Sequence, residues 1–124
     1  MLIKKMNESG VDVWLVNTGW TGGPYGEGKR MPIGATRNLL SAALDGTLLK
    51  EDMIKDKFFG FEVPLNVGGV DKKILNPRET WKDKKNYDTQ AFKLVQMFSE
   101  NFESFKEHVD IEIIDAAPDL QAAE

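Results

Sequence analysis

Two adjacent cations, Lys29 and Arg30, close the run Val16-Asn17-Thr18-Gly19-Trp20-Thr21-Gly22-Gly23-Pro24-Tyr25-Gly26-Glu27-Gly28-Lys29-Arg30. That run packs five of the chain's 11 glycines into ten residues. Without a Cβ, backbone N–H groups can approach an anion closely, and cations at the exit add charge and donors. The chemistry on offer is phosphate or nucleotide binding. Gly23, Gly28 and Lys29 fit the spacing G-x-x-x-x-G-K-[ST] up to its last position, where Arg30 replaces the hydroxyl that would hold Mg²⁺. Pro32 and Gly34 follow, the helical signal begins only around Ala35 to Arg37, and Pro24 removes one N–H from any cradle. The segment is therefore not read as a working Walker loop. A glycine-rich surface turn without a ligand is the plain alternative.

Other chemistries are narrowed by composition. The 124 residues contain no cysteine, which excludes disulfides, thiolate metal sites and cysteine nucleophiles, and suits the cytosol. His108 is the single histidine, so a multi-histidine metal site is impossible. It falls near the end of a helical pattern, where a structural role is the simpler one. A net charge of −4 argues against a general nucleic-acid binder. No apolar run reaches the roughly 20 residues of a membrane helix, and Met1-Leu2-Ile3-Lys4-Lys5 lacks a signal peptide's apolar core.

The elements that must position the glycine run are few. Leu2, Ile3 and Met6 fit the last turns of a helix capped by Gly10. Val11 to Val16 reads as a buried central strand, and Asn17 to Arg30 as one long loop without periodicity. Thr36 to Gly46 predicts a helix with Leu39, Leu40, Ala43 and Leu44 on one face. Lys50 to Lys57 reads as a charged connector, and Phe59, Phe61 and Val63 as a half-buried strand ended by Pro64. Asn66 to Asp71 is turn-like, and Ile74 to Arg78 an extended segment entering a proline turn. Ala91, Leu94, Val95, Phe98, Phe102 and Phe105 predict one helix from about Asp83 to Val109, its stripe packed in a core. Ile111, Ile113 and Ile114 could form a last strand, with Leu120 to Glu124 as a loose tail. The expected fold class is α/β, with few strands and two main helices. A buried strand needs neighbours and cover that this inventory hardly provides. The chain reads as a piece of a larger domain.

Val13-Trp14-Leu15-Val16-Asn17-Thr18-Gly19-Trp20, then Gly28-Lys29-Arg30 and Thr36-Arg37, resembles the carboxy-terminal part of ATP-dependent phosphoenolpyruvate carboxykinase. Phe61-Glu62-Val63-Pro64, Ile74-Leu75-Asn76-Pro77-Arg78, Thr80-Trp81, Phe98 and Asn101-Phe102 are similar to later landmarks of that family, in its order and spacing. The resemblance covers about Val13 to Phe105. It implies that residues 1–124 are a carboxy-terminal fragment of a mononucleotide-binding catalytic domain. It also implies a cytoplasmic enzyme of gluconeogenesis that converts oxaloacetate and ATP to phosphoenolpyruvate, ADP and carbon dioxide, with Mg²⁺ or Mn²⁺.

The nucleotide contacts implied by the resemblance fall on Arg30, Met31 and Thr36. Arg30 would face base and ribose, Met31 would give backbone polarity and a soft wall, and Thr36 a hydroxyl at the opening of the next helix, where it could also cap. The family's phosphate loop, metal ligands and oxaloacetate-binding side chains have no counterpart in this chain, so the resemblance implies no catalytic or metal-binding residue here and no activity of the chain alone. Its implied partner is the remainder of the carboxykinase polypeptide. Glu27 departs from the family's usual neutral residue beside a site for a polyanion. A free-standing nucleotide-binding module without catalysis and an interaction fragment with exposed strand edges are the competing readings.

Overall fold

The computed structural model describes residues 2–118, with the first two of these as backbone only. The tail from Leu120 to Glu124 lies outside the described residues. Helix α1, Leu2–Ser9, ends at Gly10, which adopts φ +60° and donates its N–H to the Met6 carbonyl at 2.9 Å. Glycine takes that left-handed conformation without a Cβ penalty.

Val11 to Val16 is not a strand. No described strand offers it a ladder, Leu15 is 82% exposed, and Trp14 alone of the run packs on a core. An apolar, β-branched run becomes a buried strand only where neighbours pair with it. The expected long loop is instead a hairpin. Strands β1, Trp20–Thr21, and β2, Lys29–Arg30, pair antiparallel in the register Trp20–Arg30 and Thr21–Lys29.

Helix α2, Ile33–Leu44, starts earlier than expected because Pro32, at φ −58° and ψ 135°, occupies its N-cap position. Thr36 is consequently inside the helix, its hydroxyl donating back to the Pro32 carbonyl at 3.4 Å, and does not cap it. The buried face is Ala35 and Ala42 with Leu39 and Ala43 beside them, while Leu40 and Leu44 are exposed. Gly46, at φ +78°, turns the chain out of the helix as expected. A 3₁₀ turn, Thr47–Lys50, follows.

The supposed charged connector contains strand β3, Met53–Lys55, paired antiparallel with β4, Glu62–Pro64. Ile74 to Arg78 is not extended. Asp71 accepts the Lys73 N–H at 2.9 Å to open α3, Lys72–Leu75, and Pro77 opens α4, Pro77–Thr80. Helix α5, Lys84–Phe102, is capped by the Asp83 carboxylate, which accepts the N–H groups of Lys85 and Asn86. It tightens into a 3₁₀ turn, Glu103–His108, before the end of the pattern. Only Ala91 and Val95 of its stripe are buried, and Phe98 and Phe105 are exposed. The isoleucines at 111, 113 and 114 lie in a short helix α6, Ile111–Asp115, not a strand.

The described residues therefore hold six α-helices and two two-stranded antiparallel sheets, consistent with part of an α/β domain. They gather into two cores. One unites Ala35, Ala42, Leu48, Val67 and Val70, with Trp14, Met31 and Ile74 against it. The other joins Phe58 to Ala91 and Val95 of α5, with Phe59 and Tyr87 alongside.

Candidate functional site

The glycine-rich hairpin holds its shape by close backbone approach. The Pro24 carbonyl accepts the N–H groups of Glu27 and Gly28 at 3.1 and 3.0 Å, closing the turn. A Cβ on Gly28 would lie 2.9 Å from the Gly23 oxygen and 3.1 Å from the Thr21 oxygen, so no larger residue fits undisturbed. The Thr21 hydroxyl donates to the Thr80 hydroxyl at 3.2 Å, and the latter donates to the Pro77 carbonyl at 2.6 Å. That relay fixes the hairpin to α4. Between them, Gly22, Gly23, Pro24 and Glu27 face Trp81, Asp83 and Asn86 across a cleft of about 250 Å³.

Arg30 stands at the end of β2, exposed, directly across from Trp20. Opposed residues of a ladder share one face, so guanidinium and indole project to the same side. Arg30 has no ion-pair partner among the described residues. Met31 follows, and its N–H is already donated to the Gly19 carbonyl at 3.0 Å. Its half-buried side chain packs on the first core, so the expected wall is mainly an anchor for Arg30. Thr36 sits half-buried one turn into α2. The structure thus joins β2 to α2 through Met31 and Pro32, with Arg30 and Thr36 on either side of that joint.

Electrostatically this joint favours an anion. The first turn of α2 carries no acidic residue, its N-cap supplies no side-chain acceptor, and Gly34 is open to its surroundings. Uncapped N–H groups at a helix start bear partial positive charge, and Lys29, Arg30 and Arg37 add full charges nearby in sequence. Glu27 is the opposing carboxylate, on the turn. Such an arrangement can hold and orient an anionic or planar ligand. His108 is exposed in the 3₁₀ turn after α5. Among the described residues no three His, Asp or Glu side chains converge in a way that could hold a metal ion.

Three neighbours of the site are not evident from the sequence. Trp20 could have been paired with Arg30 had the turn centred on Pro24 to Glu27 been recognised as a hairpin. Trp81 and Asn86 meet the loop across more than fifty residues, and nothing local signals that contact.

Comparison with known proteins supplies the context. A family model described as phosphoenolpyruvate carboxykinase matches residues 1–73. Phosphoenolpyruvate carboxykinase (ATP) of Brucella anthropi is 60% identical over 123 residues, which is 99% of this chain and 23% of that protein. The protein of the same name from Mesorhizobium japonicum is 61% identical over 114 residues, covering 92% and 21%. That of Parvibaculum lavamentivorans is 65% identical over 108 residues, covering 87% and 20%. The chain spans between a fifth and a quarter of the length of these curated relatives.

Proposed function

The chain belongs to the phosphoenolpyruvate carboxykinase family, and from that premise we propose that it supplies the base-and-ribose side of the nucleotide site in an ATP-dependent carboxykinase. Residues 1–124 then form a carboxy-terminal part of a mononucleotide-binding catalytic domain. The whole enzyme would convert oxaloacetate and ATP to phosphoenolpyruvate, ADP and carbon dioxide in the cytoplasm, as a step of gluconeogenesis. Arg30 carries the nucleotide contact, Met31 holds Arg30 on the core and offers its carbonyl, and Thr36 presents its hydroxyl beside the start of α2.

The observation that carries this reading is Arg30: an exposed guanidinium without a carboxylate partner among the described residues, fixed at a strand end within the matched region. A guanidinium presents five donors in a plane, suited to stacking on a base and to bonding ribose or phosphate oxygens. In the whole enzyme, Mg²⁺ or Mn²⁺ and a phosphate cradle would neutralise the charge developing during phosphoryl transfer. On this reading those parts belong to the length of the relatives that this chain does not span.

ATP titrated into the 124-residue chain should quench the tryptophan emission to which Trp20 contributes. Arg30→Ala should weaken that binding about tenfold or more, the scale of a charged hydrogen bond. Adenosine should compete, whereas tripolyphosphate of equal affinity to ATP would overturn the assignment to base and ribose. Assayed with oxaloacetate, ATP and Mn²⁺, the chain alone should show no turnover.

A further inference from the structure

A second cleft, separate from the glycine hairpin, opens between the β3–β4 sheet, α3, α4 and α5, with a volume of about 250 Å³. Its floor is apolar, formed by Phe58, Leu75 and Tyr87 with Val63 and Pro64. Four cations line it: Lys55, Lys57, Lys72 and Arg78. The one carboxylate in the lining, Asp56, is engaged by the N–H groups of Phe58 and Phe59 at 3.0 and 2.6 Å. In a chain of net charge −4, this is a local reversal of sign.

The four cations are not equivalent. Arg78 is held by Asp88 through two bonds, Nε to Oδ1 at 2.8 Å and Nη2 to Oδ2 at 2.9 Å. Lys55, Lys57 and Lys72 make no ion pair among the described residues. The Lys57 ammonium stands 5.5 Å from the centre of the Phe58 ring, so positive charge lies against the apolar floor. Burial, then the Asp56 and Asp88 carboxylates, push the Tyr87 phenol above its usual value, so it remains a neutral O–H donor. Apolar walls with a few convergent polar groups are the common make-up of a small-molecule site, and this volume is at the small end.

We propose that this cleft binds a small organic anion, a carboxylate or phosphate ester on a compact apolar body. The acidic group meets Lys55, Lys57 and Lys72, and the body rests on Phe58, Leu75 and Tyr87. None of Arg30, Met31 or Thr36 belongs to it, so the proposal stands or falls apart from the nucleotide reading.

Phenyl phosphate titrated into the full chain, followed by amide resonances, should give saturable shifts at Lys55 to Phe58, at Lys72 and at Tyr87. The triple variant Lys55→Gln/Lys57→Gln/Lys72→Gln should weaken that binding about tenfold or more, as three exposed charge contacts of modest strength together imply. All three lysines are exposed, and an unchanged urea midpoint checks that the fold survives their loss. Benzyl alcohol and inorganic phosphate should each bind much more weakly than phenyl phosphate. Equal binding of inorganic phosphate, shifts confined to the Arg30 region, or indifference to the triple variant would overturn the proposal. Arg30→Ala should leave phenyl phosphate binding untouched.

Discussion

The two hairpins are alike in pairing and differ in what their turns add to it. The first, β1–β2, is closed by backbone alone: two N–H groups on the Pro24 carbonyl and a glycine where no Cβ fits. Its strands bury almost nothing, and what they present is an arginine, without an ion pair among the described residues, beside a tryptophan. The second, β3–β4, is also closed by backbone, with the Asp56 N–H donated to the Phe61 carbonyl at 2.7 Å and the Gly60 N–H to the Asp56 carbonyl at 3.1 Å, but it adds a side chain: the Asp56 carboxylate clamps the N–H groups of Phe58 and Phe59. That clamp drives Phe58 into α5, where its ring is 2% exposed beside Ala91 and Val95. One hairpin displays charge and the other inserts an apolar anchor. The two turns therefore differ in whether a side-chain clamp is added to the backbone closure.

The largest expected effect tests the anchored hairpin. Phe58→Ala should cost about 3–5 kcal/mol of stability, because it deletes a fully buried ring from the smaller core. Urea unfolding of variant and parent measures it directly. A loss near 1 kcal/mol would show that α5 and β3–β4 hold together without this side chain, and the contrast between the hairpins would weaken.

A smaller loss is expected at the backbone-closed hairpin. Gly28→Ala drives a Cβ against two carbonyl oxygens that belong to the backbone, so the turn must open. Overpacking of that kind costs about 1–3 kcal/mol. Because the strain falls between Gly23 and Lys29, ATP binding should drop more than global stability does. Proportionate losses of both would make this hairpin as structural as its counterpart.

The contrast also explains how much was legible in the residues. Gly10 and Gly46 announced helix ends, and the α5 periodicity announced the long helix from about Asp83, because glycine stops and periodicity are local, whereas the Asp83 cap was not foreseen. Glycines and cations drew attention to the corner at Arg30, but its pairing with Trp20 across a hairpin was not legible in them. Val11 to Val16 misled, since a strand is completed by partners that a local pattern does not reveal. The isoleucines at 111 to 114 misled for the same reason, folding into α6 where no ladder was offered. The β3–β4 pairing, Phe58's burial and the Thr21–Thr80 bond all depend on contacts remote in sequence, and no spacing rule reaches them.

The smallest effect concerns α4, which both hairpins share. Thr80 ties it to the first, and Arg78 lines the cleft beside the second while gripping Asp88 of α5. Hydrogen bonding to Arg78 holds the Asp88 carboxyl below its ordinary value, and Lys84 does the same for Glu79 on α4. A depressed carboxyl favours the folded state at neutral pH. That contribution is complete above about pH 5 and fades as acid protonates the group in the folded chain. Stability should therefore fall on acidification, and Asp88→Asn should make that acid limb shallower while lowering neutral stability only slightly, since the pair is more than a third exposed. Urea midpoints taken from pH 7 to pH 3 give both slopes. The Thr21–Thr80 bond carries no charge, so the glycine hairpin should keep its attachment to α4 at pH 3 if Arg78–Asp88 is only a local brace. If ATP-induced quenching and the Asp88 contribution vanish together in acid and are restored together, α4 couples the two hairpins and they are not independent units.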